Sequence, residues 1–131
     1  MEKSPLKETY MMLLDANYIL RYLLHDHDEM FMTAKEVIEN HHCFVLNEVM
    51  AEVVYVLEGV YKVPREEIVT VLGKFVALDN IALSESKKIL LSALHLYHDK
   101  KLDFVDSYLC ALKQKYEVQT FDKKLRKCLT V

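Results

Sequence analysis

Four short apolar runs, each separated from the next by stretches of helical periodicity, constrain the fold of this chain more than any other feature. "YMMLLD" (10–15) is a continuous apolar run with the pattern of a strand buried on both faces, "CFVLN" (43–47) is again strand-like, "NIAL" (80–83) is a short third strand candidate and "EVQTF" (117–121) is read as the fourth. Between them, "NYILRYLL", "EMFMTAKEVIEN" and the stripe Val49, Val53, Val56, Val60 repeat at helical spacing. Pro64 stands at a first-turn position, and Ser84 is read as the cap of a long helix reaching about Lys100. Neighbouring strands joined through helices pair in parallel. The expectation is therefore an α/β domain with a central, mostly parallel sheet of four to five strands flanked by helices, spanning 1–131 as one unit.

Composition narrows the class. The chain has 131 residues, 52% hydrophobic and 28% charged, as in a globular rather than a disordered protein. No uncharged stretch approaches the 18 to 20 apolar residues of a bilayer span, and "MEKSPLKETY" lacks a signal-peptide apolar core. No membrane association and a cytoplasmic location are expected. Cys43, Cys110 and Cys128 share no C-x-x-C spacing and read as small core residues, neither a disulfide framework nor a zinc knuckle. With only Gly59 and Gly73, the chain has no glycine-rich phosphate loop, so a ligand site must be built from side chains.

Charge is unevenly placed. Between 113 and 127, Lys113, Lys115, Lys123, Lys124, Arg126 and Lys127 face only Glu117 and Asp122, a local charge of +4 in a chain whose total is −3. A basic stretch suits a phosphate backbone, and it equally suits a solvated helix end.

The acidic residues carry the functional argument. In "LDFVDSYLCAL" (102–112), Phe104, Val105, Tyr108, Leu109, Leu112 and Tyr116 share one helical arc from which Asp106 is excluded. Asp103 suits the N-cap and Asp106 lies near position N3, where a carboxylate gains about 0.3 to 1 kcal/mol from the helix dipole. Capping alone explains both. However, Asp15 ends the first strand, Asp122 follows the fourth, and Glu52 sits about 8 Å up the helix that leaves the second. Ligands of open parallel sheets bind beyond the carboxyl ends of the strands. Carboxylates crowded there repel one another unless a cation intervenes, and oxygen-only donors suit Mg²⁺ or Mn²⁺. Such an ion would activate water and neutralise a phosphodiester.

"LLDANYILRYLL", "EVMAEVVYVL", "LDFVDSYLCAL" and "VQTFDKKL" resemble the successive motifs of PIN-domain ribonucleases, most closely the VapC-type toxins of prokaryotic toxin–antitoxin pairs, from about Met11 to Arg126. The resemblance implies a metal-dependent endoribonuclease whose Asp15, Glu52, Asp106 and Asp122 form the acidic, metal-holding quartet. It also implies support from Asn17, Asp103 and Thr120, an RNA substrate, a homodimer, and an antitoxin partner that covers the site. Ala16 departs from the Thr or Ser usual in the first motif. Lys123, Lys124 and Arg126 are the expected RNA contacts. A non-catalytic RNA- or protein-binding module on the same fold is the alternative. Zinc at His25 with His27, or at His95 with His98, lacks a third ligand at recognisable spacing. A phosphoacceptor domain would need an aspartate at the end of the third strand, and "NIALS" has none.

Overall fold

The computed structural model describes residues 11–131. Tyr10, the first residue of the expected first strand, and the N-terminal stretch of residues 1–10 lie outside the described residues. The elements in chain order are β1 (Met12–Leu13), α1 (Ala16–Leu24), α2 (Asp28–Asn40), β2 (Cys43–Val45), α3 (Asn47–Gly59) and α4 (Arg65–Val76). They continue with β3 (Ile81–Leu83), α5 (Lys87–Asp99), α6 (Phe104–Ala111), a 3₁₀ turn (Leu112–Gln114) and α7 (Lys123–Leu129).

The first three of the apolar runs become strands. Met12 pairs with Cys43 and Leu13 with Phe44, while Cys43, Phe44 and Val45 pair with Ile81, Ala82 and Leu83, all in parallel. The strand order is β1-β2-β3. β2 is therefore central, which explains why Cys43 and Val45 are fully buried.

Among the described residues the sheet has three strands, and 117–121, expected as a fourth, is not one of them. Local bonds occupy that segment instead. The Thr120 carbonyl accepts from Arg126 Nη2 at 2.9 Å, and the Thr120 hydroxyl accepts the Asp122 N–H at 3.0 Å. Both groups are thereby satisfied without a ladder.

One other local expectation shifts by two residues. Ser86, not Ser84, caps α5, its hydroxyl accepting the Ile89 N–H at 3.2 Å. Ser84 Oγ accepts the Asn47 N–H at 3.2 Å and so joins the ends of β2 and β3.

The main core gathers side chains from α1 to α6 and the sheet, including Ile19, Ile38, Val45, Leu57, Phe75, Leu90 and Tyr97. A smaller cluster of Leu102, Cys110, Leu125 and Cys128 seats α7 on α6. Here the reading of all three cysteines as simple core residues is corrected: Cys110 and Cys128 form a disulfide, and Cys43 alone is a free buried thiol. Burial pushes the Cys43 thiol up to about 11. The two bonded cysteines meet because α6 and α7 pack side by side, which an eighteen-residue separation does not reveal. No helix among the described residues is long and apolar enough to cross a membrane.

Candidate functional site

Asp15 closes β1. The preceding residue, Leu14, is buried and still bonded to the sheet through Phe44 O, so the chain reaches Asp15 extended and then turns into α1. The Asp15 carboxylate caps that helix by accepting the Tyr18 N–H at 2.9 Å. One oxygen is thus engaged and the carboxylate plane is set. Ala16 is buried under the cap, whereas Asn17 is exposed.

Glu52 stands exposed on α3. The start of α3 is fastened on two sides. Its Asn47 N–H is held by Ser84, and Asn47 Oδ1 accepts the Tyr108 hydroxyl at 2.7 Å. Asn47 therefore does not cap α3, as its position suggests; its side chain ties α6 to the sheet edge. Burial, with Glu85 nearby, pushes the Tyr108 phenol up to about 12 and keeps it a donor.

The first turn of α6 matches the local reading. Asp103 is the N-cap, accepting the Asp106 N–H at 2.8 Å, and its carbonyl accepts the Ser107 hydroxyl at 2.8 Å. Asp106 is half-buried. Burial first, then the charges of Asp103 and Asp122, hold its carboxyl above the ordinary value. Asp122 caps α7 through the Leu125 N–H at 2.8 Å. The N-termini of α6 and α7 thus bring Asp103, Asp106 and Asp122 into one field, and among the described residues no Lys or Arg is among the charges acting on Asp106.

The expected quartet is only partly assembled. Among the described residues no three His, Cys, Asp or Glu side chains converge closely enough to hold an ion. The chemistry of the donors nevertheless fits a hard divalent cation: they are carboxylate oxygens, and Asp106 sits among like charges that a cation would relieve. Asp15 and Asp122 each keep one oxygen outside their caps.

The histidine pairs have other tasks. His27 caps α2 by accepting the Met30 N–H at 3.2 Å, His25 stacks on Phe31 at 3.6 Å, and His98 lies 2.8 Å from Asp99.

Lys123, Lys124 and Arg126 are exposed on α7, and Phe121, just before Asp122, is 98% exposed. Two features escaped the sequence. Arg65 binds the carbonyls of Tyr97 and Leu102 immediately before α6, and a cavity of about 500 Å³ opens between α1 and α2 beside Asn17. Neither has a local signature, because each joins residues from separate elements.

The chain matches the PIN domain family over residues 12–128. No curated protein and no solved structure matches it.

Proposed function

The chain belongs to the PIN-domain family, a membership that indicates a nuclease-type hydrolase, and from it we propose a metal-dependent endoribonuclease acting as the toxin of a toxin–antitoxin pair. In this reading Asp15, Glu52, Asp106 and Asp122 hold Mg²⁺ or Mn²⁺, with Asn17, Asp103 and Thr120 in support. RNA is the substrate, an antitoxin protein the inhibitor, a homodimer the assembly, and the cytoplasm the location.

The observation that carries the reading is the clustered negative charge at the paired helix starts: Asp106 is half-buried beside Asp103 and Asp122, with no basic partner among the described residues. A bound divalent cation would supply charge neutralisation at the phosphodiester and an activated water. The chain's own residues do the rest. The Tyr18 and Leu125 amides fix how the Asp15 and Asp122 carboxylates present their remaining oxygens. Thr120 fixes the approach to Asp122 by accepting its N–H. Lys123, Lys124 and Arg126 attract the RNA backbone by displacing its counterions.

Cleavage of a mixed panel of structured and single-stranded RNAs with Mg²⁺, with Mn²⁺ and with EDTA tests the proposal, run beside Asp15→Asn and Asp106→Asn. Metal-dependent cutting that both variants lose supports it. Absence of cutting, with no divalent-ion binding by calorimetry, overturns it. A second reading, a non-catalytic RNA- or protein-binding module, draws on the carboxylates' engagement as helix caps and on the absence of a three-ligand cluster among the described residues. It requires RNA or protein binding that is indifferent to metal.

A further inference from the structure

The cavity between α1 and α2 begins two residues beyond Asp15. Asn17 and Tyr18 form part of its wall, and the Tyr18 amide is the group that holds the Asp15 carboxylate. An RNA chain with a phosphate at Asp15 therefore has its neighbouring base within reach of this cavity. At about 500 Å³, its size lies within the ordinary range for small-ligand sites.

The charges lining it select what can enter. Arg21 is the one cation among the lining residues that is permanently charged, and its terminal nitrogens are already committed: Nη1 donates to both Asp26 oxygens at 3.0 and 2.9 Å and Nη2 donates to the Tyr61 hydroxyl at 2.9 Å, while the buried Nε has no partner among the described residues. Glu29 lines the same cavity, and among the described residues its carboxylate has neither a hydrogen bond nor an ion pair. A free carboxylate beside a neutralised guanidinium repels phosphate and welcomes N–H donors.

The other groups complete a mixed surface. His27 accepts the Met30 N–H through Nδ1, so its Nε2 carries the proton and is a donor. Asn17 offers both an amide donor and an amide acceptor. Tyr18 and Met30 also line the cavity, residue types whose side chains offer apolar, polarisable surface to a flat ring.

We infer that this cavity is a nucleobase subsite for guanine, in which Glu29 accepts the base's N1–H and N2–H and so selects the RNA base next to the scissile phosphate. Guanine presents two parallel N–H donors on one edge, matching the two oxygens of one carboxylate. Adenine and cytosine present a single exocyclic amine beside an acceptor that a carboxylate repels. Unpaired bases in single-stranded RNA are read on this edge, with stacking on aromatic side chains. The inference rests on the ribonuclease reading for its substrate, but its test does not require cleavage.

The test is a titration of ¹⁵N-labelled protein in EDTA with the trinucleotide uridine-guanosine-uridine, and with the same trinucleotide carrying inosine or adenosine at the centre. The expected result is saturable amide shifts within residues 17–34, with guanosine bound about tenfold more tightly than inosine, which lacks the N2 amine, or adenosine. In Glu29→Gln, whose side chain is exposed and whose fold is checked in the same spectrum, that preference disappears. Equal binding of the three, shifts confined to α7, or a guanosine preference that survives Glu29→Gln would each overturn the inference. So would a cavity indifferent to nucleotides but shifted by an amphipathic peptide, since it would then belong to a protein partner. Because no metal is present, failure here leaves the nuclease reading to its own cleavage assay, and failure of cleavage leaves this binding result intact.

Discussion

Replacing Arg65 with Met tests whether one side chain holds the start of α6 in place. Arg65 opens α4, yet its guanidinium reaches the end of α5 and the residue before Asp103. Nε donates to Glu58 at 3.0 Å, Nη1 donates to Tyr97 O at 2.7 Å and also to Leu102 O, and the group lies 4.1 Å from the Tyr97 ring centroid. Tyr97 is itself fully buried, and its hydroxyl donates to Glu58 at 2.7 Å. Methionine keeps the apolar length and removes every donor.

The ion pair counts little, because the Glu58 side chain is 40% exposed. The two carbonyl bonds from a charged donor, together with ring stacking, are worth about 3 kcal/mol once solvation of the freed carbonyls is allowed for. Urea unfolding at pH 7 should show that loss, and Arg65→Lys should recover less than half of it, since an ammonium cannot span the same acceptors. A loss below about 1 kcal/mol, or full rescue by Lys, would refute the reasoning.

The acid side supplies an independent check. Burial raises the Glu58 carboxyl, but the Tyr97 hydroxyl and Arg65 together bring it below its ordinary value. A depressed folded pKa stabilises above the unfolded pKa, and the contribution is lost as pH falls through the folded one. In Arg65→Met that acid dependence should flatten.

Three further outcomes follow from the site. Reducing the Cys110–Cys128 bond, which closes a loop of eighteen residues, should cost about 3 kcal/mol and show in thermal melts with and without dithiothreitol; unchanged melting would mean that packing alone seats α7. Asp15→Asn preserves the cap on α1 and should leave stability nearly unchanged, whereas Asp15→Ala should lose about 1 kcal/mol; only the charge matters for the proposed cleavage, so both should be inactive. Asp103→Asn keeps the cap on α6 while removing a like charge, so the Asp106 carboxyl should titrate lower in a carbon-detected NMR pH series. With its folded value raised, Asp106 contributes stability that is present below the unfolded pKa and lost as pH rises through the folded one. The variant should weaken that loss, and an unmoved Asp106 would show burial alone to be responsible.

Much of the scaffold was legible from residue order, because its causes are local. Apolar runs mark β1, β2 and β3, helical periodicity marks the helices between them, and Asp103 and Asp106 take the cap and first-turn positions that their spacing implies. Asp15 falls at the end of β1 for the same reason. Over such distances a hydrogen bond spans three or four residues, but periodicity did not settle the inward face of α6, where Ser107, Cys110 and Ala111 are buried while Val105 is exposed.

The tertiary structure decided the rest. It joined Cys110 to Cys128 across the contact of α6 with α7. It also made Asn47 the partner of Tyr108, and set Asp106 beside Asp122. The cavity between α1 and α2 likewise exists only because two helices pack at a particular spacing. Each of these pairs groups far apart in the chain, and their meeting depends on how whole helices dock, an energy summed over many apolar contacts rather than carried by any motif.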